Sequence, residues 1–329
     1  MNILDRVKEK GLIFDGAMGS MLMQAGLKGG KASEIWNIEK PEEIQKIHSA
    51  YFDAGADVAT INTFGASAFK LMRMGVIKEL EQDETVKKIN SAAVKIACEA
   101  ALEYNHNNSK CVSVSSSNGS GGGNISASRK YVAGDIGPLG EMLQPAGVLS
   151  FEEAVAHFER QARYIVQSAE ESDSFAGVDC FIAETFFDLN EVLAAIKGIR
   201  KISSLPIFAT MTFQKKPSGF FTIMGNKPVE SMKKMLDAGA SVVGANCSIA
   251  SDTMIDLAHV IRDGIDAPMI IQPNAGAPST IGESIVYPET PEFFCENIKK
   301  LKDIGVNVVG GCCGTTPDFI RKISQMIHS

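Results

Sequence analysis

The sequence predicts an α/β fold, a single-domain (β/α)8 TIM barrel over residues 1–329, and three observations carry that reading. Eight short apolar or β-branched runs recur along the chain, and each is followed by a longer segment whose apolar residues keep helical spacing. The runs are nearly continuous in apolar character, as strands of a parallel sheet covered on both faces must be. A length of 329 residues, 45% of them hydrophobic, suits one closed barrel. An open doubly wound sheet is the alternative, and eight units fit it less well.

In order, the predicted strands are 11–15 ("GLIFD"), 57–62 ("DVATIN"), 131–135 ("YVAGD"), 179–184 ("DCFIAE"), 206–212 ("PIFATMT"), 241–247 ("SVVGANC"), 268–274 ("PMIIQPN") and 306–313 ("VNVVGGCC"). The helices between them announce their own ends. Pro41 stands at a first helical position before "EEIQKIHSAYFDAG", where Gly55 stops the helix, and Ser150 is an N-cap for "FEEAVAHFERQARYIV". The segment "TPEFFCENIKKLKDIG" closes on Gly305, and a last helix starts at Pro317. Residues 105–129, "NHNNSKCVSVSSSNGSGGGNISASR", break the rhythm with a Ser/Gly/Asn tract too poor in apolar residues to offset the entropy of ordering. They read as a flexible insertion that joins the second helix to the third strand and emerges at the N-terminal face, away from the catalytic face of such barrels.

Composition narrows the function. A formal net charge of -7, 22% charged residues and no long run of one sign argue for small-molecule chemistry, with no nucleic-acid and no membrane partner. The N-terminus lacks the continuous apolar core of a signal peptide, and no run reaches about 18 apolar residues, so a cytoplasmic protein is expected. Seven cysteines, an odd number, point to reduced thiols rather than to a disulfide framework.

In a barrel the C-terminal strand ends converge, and here they read Asp15, Asn62, Asp135, Glu184, Thr212, Cys247, Asn274 and the Cys312, Cys313 pair. Polar groups at the rim of an apolar barrel are costly unless they hydrogen-bond, bind metal or meet a ligand. Cys247 from the sixth strand and Cys312 and Cys313 from the eighth fall within reach of one Zn2+ if the last strand bulges, which Gly310, Gly311 and Gly314 would permit. No fourth Cys or His stands at another strand end, so the metal position stays open, as in catalytic sites. Three thiolates make zinc a poor activator of water and a good host for a further thiolate, and the implied reaction is attack by a substrate sulfur on an electrophilic carbon. Cys98, Cys111, Cys180 and Cys295 sit in helical, loop or mid-strand contexts and read as ordinary thiols.

Asp15 and Glu184 are candidates for a substrate ammonium, since carboxylates at strand ends serve soft zinc less well than thiolates. The helix starts near "GASAFK" and "GTTPDF" offer backbone N–H groups to a substrate carboxylate. The five histidines lie in predicted helices or the insertion and receive no catalytic role.

The strings "DGAMGS", "NTFGAS", "GDIGPLGE", "AETF", "GANCS", "PNAGAP" and "GGCCGTTP", in this order, resemble the homocysteine S-methyltransferase family from Gly11 to the last helix. Within it the chain is most similar to the homocysteine-binding module of cobalamin-dependent methionine synthase. The resemblance implies a zinc S-methyltransferase that converts homocysteine to methionine, with Cys247, Cys312 and Cys313 as ligands and Asp15, Glu184, Asn246 and Asn274 near the amino-acid substrate. No Asp-x-His-x-x-Gly string occurs, so the donor is expected to be a separate methyl-corrinoid protein or a methylated small molecule. Two rival readings stay open: a corrinoid-linked methyltransferase or demethylase acting on another thiol or methylated compound, and a non-catalytic zinc-binding barrel.

Overall fold

A computed structural model describes residues 2–115, 129–172, 174–281 and 284–328. Its eight parallel strands are β1 (Leu12–Ile13), β2 (Val58–Thr60), β3 (Tyr131–Ile136), β4 (Cys180–Phe186), β5 (Ile207–Met211), β6 (Val242–Ala250), β7 (Met269–Asn274) and β8 (Val308–Val309). Neighbours pair in chain order from β2 to β8, β8 returns to β1, and a Phe14–Val58 bridge joins β1 to β2 and closes the barrel. All eight predicted strands are present. The last is shorter than expected, because the chain leaves the sheet at Gly310.

A long helix follows each strand: Pro41–Asp53, Asp83–Ser115, Phe151–Glu170, Leu189–Arg200, Pro228–Asp237, Ser251–Gly264, Pro291–Asp303 and Pro317–His328. Ser150 caps its helix in a reciprocal capping box with Glu153, worth about 1 kcal/mol. Gly55 and Gly305 take the left-handed φ of 104° and 92° that stops the helices before them. The helix Asp83–Ser115 runs into the tract expected to be flexible from residue 105, and corrects that boundary. The first part of the tract, 105–115, holds no Gly or Pro, so an established helix propagates through it. Residues 116–128 of the predicted insertion lie outside the described residues.

Strand side chains alternate between faces. The lower barrel interior is filled by Leu12, Phe14, Val58, Tyr131, Ala133, Cys180, Ile182, Phe208, Val242, Ile270 and Val308, closed below by Ile3 and Val7 of an N-terminal helix, Ile3–Glu9. Two residues further along the strands the same inward parity falls on Thr60, Asp135, Glu184, Thr210, Gly244 and Gln272, and on β6 and β7 it continues to Asn246 and Asn274. The barrel is therefore apolar at its base and polar at its C-terminal mouth. Gly244 is required in this packing: a Cβ there would lie 1.7 Å from the Ile270 carbonyl oxygen. Two small antiparallel hairpins, 214–221 and 279–286, project from the loops after β5 and β7 at the same mouth.

Candidate metal and substrate site

Cys247, Cys312 and Cys313 come together at the mouth with their three sulfurs all within 4.8 Å of one another, and the Cys247 and Cys313 sulfurs are 3.8 Å apart. They form the one group of this kind among the described residues. The irregularity that brings them together lies on a different strand from the one expected. The register breaks on β6 between Asn246 and Ala250, where Cys247 and Ser248 adopt φ of 59° and 65°, and again on β4, where Thr185 is at 65°. Left-handed backbone in residues with side chains costs on the order of 1 kcal/mol each and persists where surrounding contacts impose it.

On the eighth strand no bulge forms; a turn replaces it. Gly311 N–H donates to the Asp15 carbonyl (3.1 Å), Cys312 N–H donates to the Pro273 carbonyl (2.8 Å), and the Cys313 carbonyl accepts from Ala275 N–H (2.9 Å). The double cysteine is thus sewn between β1 and β7. The glycines allow close approach: a Cβ on Gly311 would lie 2.3 Å from the Thr315 hydroxyl, and one on Gly314 would lie 2.2 Å from the Tyr287 ring.

The thiols titrate as a unit. Hydrogen bonds from Cys247 first, then Cys312, hold the Cys313 thiol well below its usual range, while hydrogen bonding to Cys247 first, then Cys313 and burial, pushes Cys312 well above it. One negative charge is easily placed among the three sulfurs and further charge is resisted. A soft divalent cation relieves that resistance, and an all-sulfur donor set suits zinc far better than magnesium or calcium. The residues therefore fit such an ion.

Beside the sulfurs stand the carboxyls. Asp15, 3% exposed, accepts at both oxygens from Thr60, from its N–H and its hydroxyl, each at 2.8 Å. Burial outweighs these bonds and raises its pKa to about 7. Glu184 accepts from Asn246 Nδ2 at 3.0 Å, and burial, with the Asp15 charge next, raises it to about 8. Asp135 faces the same centre, raised by burial and then by Glu184, and its Oδ1 is enclosed without a partner. Lys70 lies over the Phe64 ring and feels Glu34, Asp135, Glu191 and Glu184, so it offsets part of this charge. Carboxyls that burial keeps protonated are groups that an incoming cation would ionise.

Asn274 is 4% exposed with Oδ1 unpartnered, an open acceptor at the mouth. Asn246 is enclosed and every polar position on its side chain is engaged. Asn62 is spent on structure, donating to the Ser33 carbonyl and to Asn37, and Thr212 bonds back to the Phe186 carbonyl. Of the backbone donors named as anion sites, Lys70 N–H is capped by Ser67 and Gly314 N–H by Ser20. Cys180 and Cys98 are buried thiols, as expected. Sequence reasoning passed over Gln272, whose Oε1 is buried and unpartnered, and Thr210. Counting inward parity up from the apolar layer would have found both. Tyr287, whose hydroxyl meets Cys313, carries no such signal, because it lies in the loop just past a hairpin.

The fold and site define an eight-strand parallel barrel that carries a three-sulfur group able to hold a metal ion, with buried carboxyls beside it, at its C-terminal mouth. A family model described as homocysteine S-methyltransferase matches residues 12–327, and the chain belongs to that family. It is 25% identical over 340 residues to a methionine synthase of Mycobacterium leprae and 26% identical over 341 residues to one of Mycobacterium tuberculosis. Each match covers 99% of this chain and 25% of that protein, so the chain spans about a quarter of the length of these relatives. Among solved structures, the homocysteine methyltransferase MmuM from Escherichia coli in its metallated form superimposes with a TM-score of 0.70, at 20% identity and 97% coverage of both chains. That likeness shows the fold. Among the described residues no helix is long and apolar enough to cross a membrane.

Proposed function

We propose that this chain methylates the sulfur of homocysteine to give methionine, with Cys247, Cys312 and Cys313 holding a zinc ion and with Asp15, Glu184 and Asn274 lining the amino-acid subsite. The observation that carries this reading is the three-sulfur cluster beside buried carboxyls at one barrel mouth. When bound, zinc would supply a soft Lewis acid that lowers the pKa of a substrate thiol.

The chain's own residues do the rest. Glu184 and Asp15 take the substrate ammonium, and the ion pair lowers both carboxyls from their raised values. Thr60 keeps Asp15 from turning away, through two bonds at 2.8 Å. The Asn274 Oδ1 gives the polar end of the substrate a further acceptor. The substrate thiol gives up its proton to solvent, the thiolate lone pair forms the new S–CH3 bond as the bond between methyl and donor breaks, and that electron pair leaves with the donor.

The donor is best read as a separate methyl-corrinoid protein. Single exposed apolar side chains stand on the loops after β3, β5 and β7, with Val148 at 81%, Ile223 at 71% and Ile285 at 57% exposure. What supports a corrinoid donor is the resemblance of the site motifs to the homocysteine-binding module of cobalamin-dependent methionine synthase. Reduced thiols at the site suit a cytoplasmic setting.

The test is mass spectrometry of the zinc-loaded chain with homocysteine and methylcobalamin. Methionine is expected, and the absence of both methionine formation and thiol loss would overturn the reading. X-ray absorption adds a second criterion: a fourth sulfur around the metal on adding homocysteine supports turnover, whereas a shell indifferent to thiols favours the non-catalytic barrel.

A further inference from the structure

Asn246 is fully enclosed on β6, one residue before Cys247. Its Oδ1 accepts from the Thr185 backbone N–H (2.9 Å) and from the Thr210 hydroxyl (2.8 Å). Its Nδ2 is directed at Glu184 Oε2 (3.0 Å), Thr185 Oγ1 (2.8 Å) and Cys312 Sγ (3.8 Å). A primary amide offers two acceptor positions and two N–H groups, so nothing remains for a ligand. The neighbours also decide which way round the amide sits. A backbone N–H can only donate, which identifies the oxygen side, and the Glu184 carboxylate accepts on the other, so a flipped amide would lose both.

We propose that Asn246 is a positioning residue that sets the separation between the Glu184 carboxyl and the Cys312 sulfur, and thereby the length of amino thiol the site accepts, without touching substrate itself. This rests on the functional reading above, in which the substrate ammonium meets Glu184 and the substrate sulfur meets the ion that Cys312 helps to hold. The backbone points the same way. Thr185 is left-handed with its N–H held by Asn246, and the left-handed Cys247 is the next residue in the chain. The unusual conformations at the ends of β4 and β6 therefore meet at one side chain. Partners that orient metal ligands in this manner are commonly worth 10- to 100-fold in metal affinity.

Two variants of the full chain test it. Asn246→Asp keeps the acceptors for Thr185 and Thr210 and turns a carboxylate oxygen toward Glu184 and Cys312; Asn246→Ala removes both halves. Zinc affinity is read by chelator competition, binding of homocysteine and of cysteine by calorimetry, and folding by thermal melting. Asn246→Asp is expected to melt near the parent, to bind zinc roughly tenfold or more weakly, and to lose several-fold of the preference for homocysteine over its one-methylene-shorter analogue. Zinc affinity within twofold of the parent together with an unchanged preference, in whichever variant folds, overturns the proposal. A parent chain that binds no homocysteine would remove the functional reading instead, and the zinc comparison alone would then decide the role of Asn246.

Discussion

Replacing Glu184 by Gln removes one charge while keeping the shape of the site. The Gln oxygen can still accept from Asn246 Nδ2, the bond that Glu184 Oε2 makes at 3.0 Å, so the network around Cys312 should persist. What changes is the group presented to the substrate: an amide N–H now faces an ammonium that a carboxylate had accepted. A hydrogen bond to a charged group is worth about 1.5–3 kcal/mol, which corresponds to roughly 10- to 150-fold in kcat/KM. Asp15 and Asp135 face the same centre, and an incoming ammonium would ionise them as well, so the loss should fall in the lower half of that range. The assay compares kcat/KM for homocysteine with that for a thiol of the same chain length lacking the amino group. The loss should be confined to homocysteine and carried mainly by KM. An equal loss on both thiols would refute an ammonium role for Glu184, as would no loss on either.

Cys312→Ala should abolish zinc retention and activity together while the barrel stays folded, because a three-ligand site has no spare ligand and the Cys312 N–H bond to Pro273 survives; metal analysis with circular dichroism checks it, and full zinc content would refute it. His48 is buried with neither ring nitrogen partnered, and burial lowers its pKa from 6.5 to about 4. Its neutral form is kept in the fold, so stability is intact above pH 6.5 and falls as the pH drops through 4, by about 3 kcal/mol; His48→Leu should flatten that loss in urea melts between pH 7 and pH 4. Glu191 has the opposite sign: burial raises it from 4.5 to about 7 although it accepts from Leu139 N–H at 2.8 Å. Its contribution is present below pH 4.5 and lost as the pH rises through 7, so Glu191→Gln, which retains an acceptor for Leu139, should stabilise the protein by up to about 3 kcal/mol at pH 8 and leave it unchanged at pH 4.

The barrel is legible in the sequence because its evidence is local. Eight apolar runs, the capping Ser150, the helix-opening Pro41 and the stops at Gly55 and Gly305 each act within a few residues of chain. The three-cysteine cluster was legible for a related reason: strand order in a barrel follows chain order, so the strands that carry Cys247 and the Cys312, Cys313 pair lie close together with only β7 between them. The extent of the tract from residue 105 was misjudged because composition says little about how far an existing helix propagates.

The roles of individual polar groups were beyond the chain's pattern. Asn246 and Asn274 are both asparagines at inward positions of adjacent strands, yet one is saturated and the other keeps an open oxygen. That difference depends on β4, β5 and the Gly311–Cys313 turn, and on a backbone irregularity that falls at Cys247 rather than at the double cysteine. Periodicity is a property of consecutive residues and survives in the one-dimensional string. Which hydrogen-bonding positions remain free depends on the register of strands far apart in sequence, and it is settled only when the barrel closes.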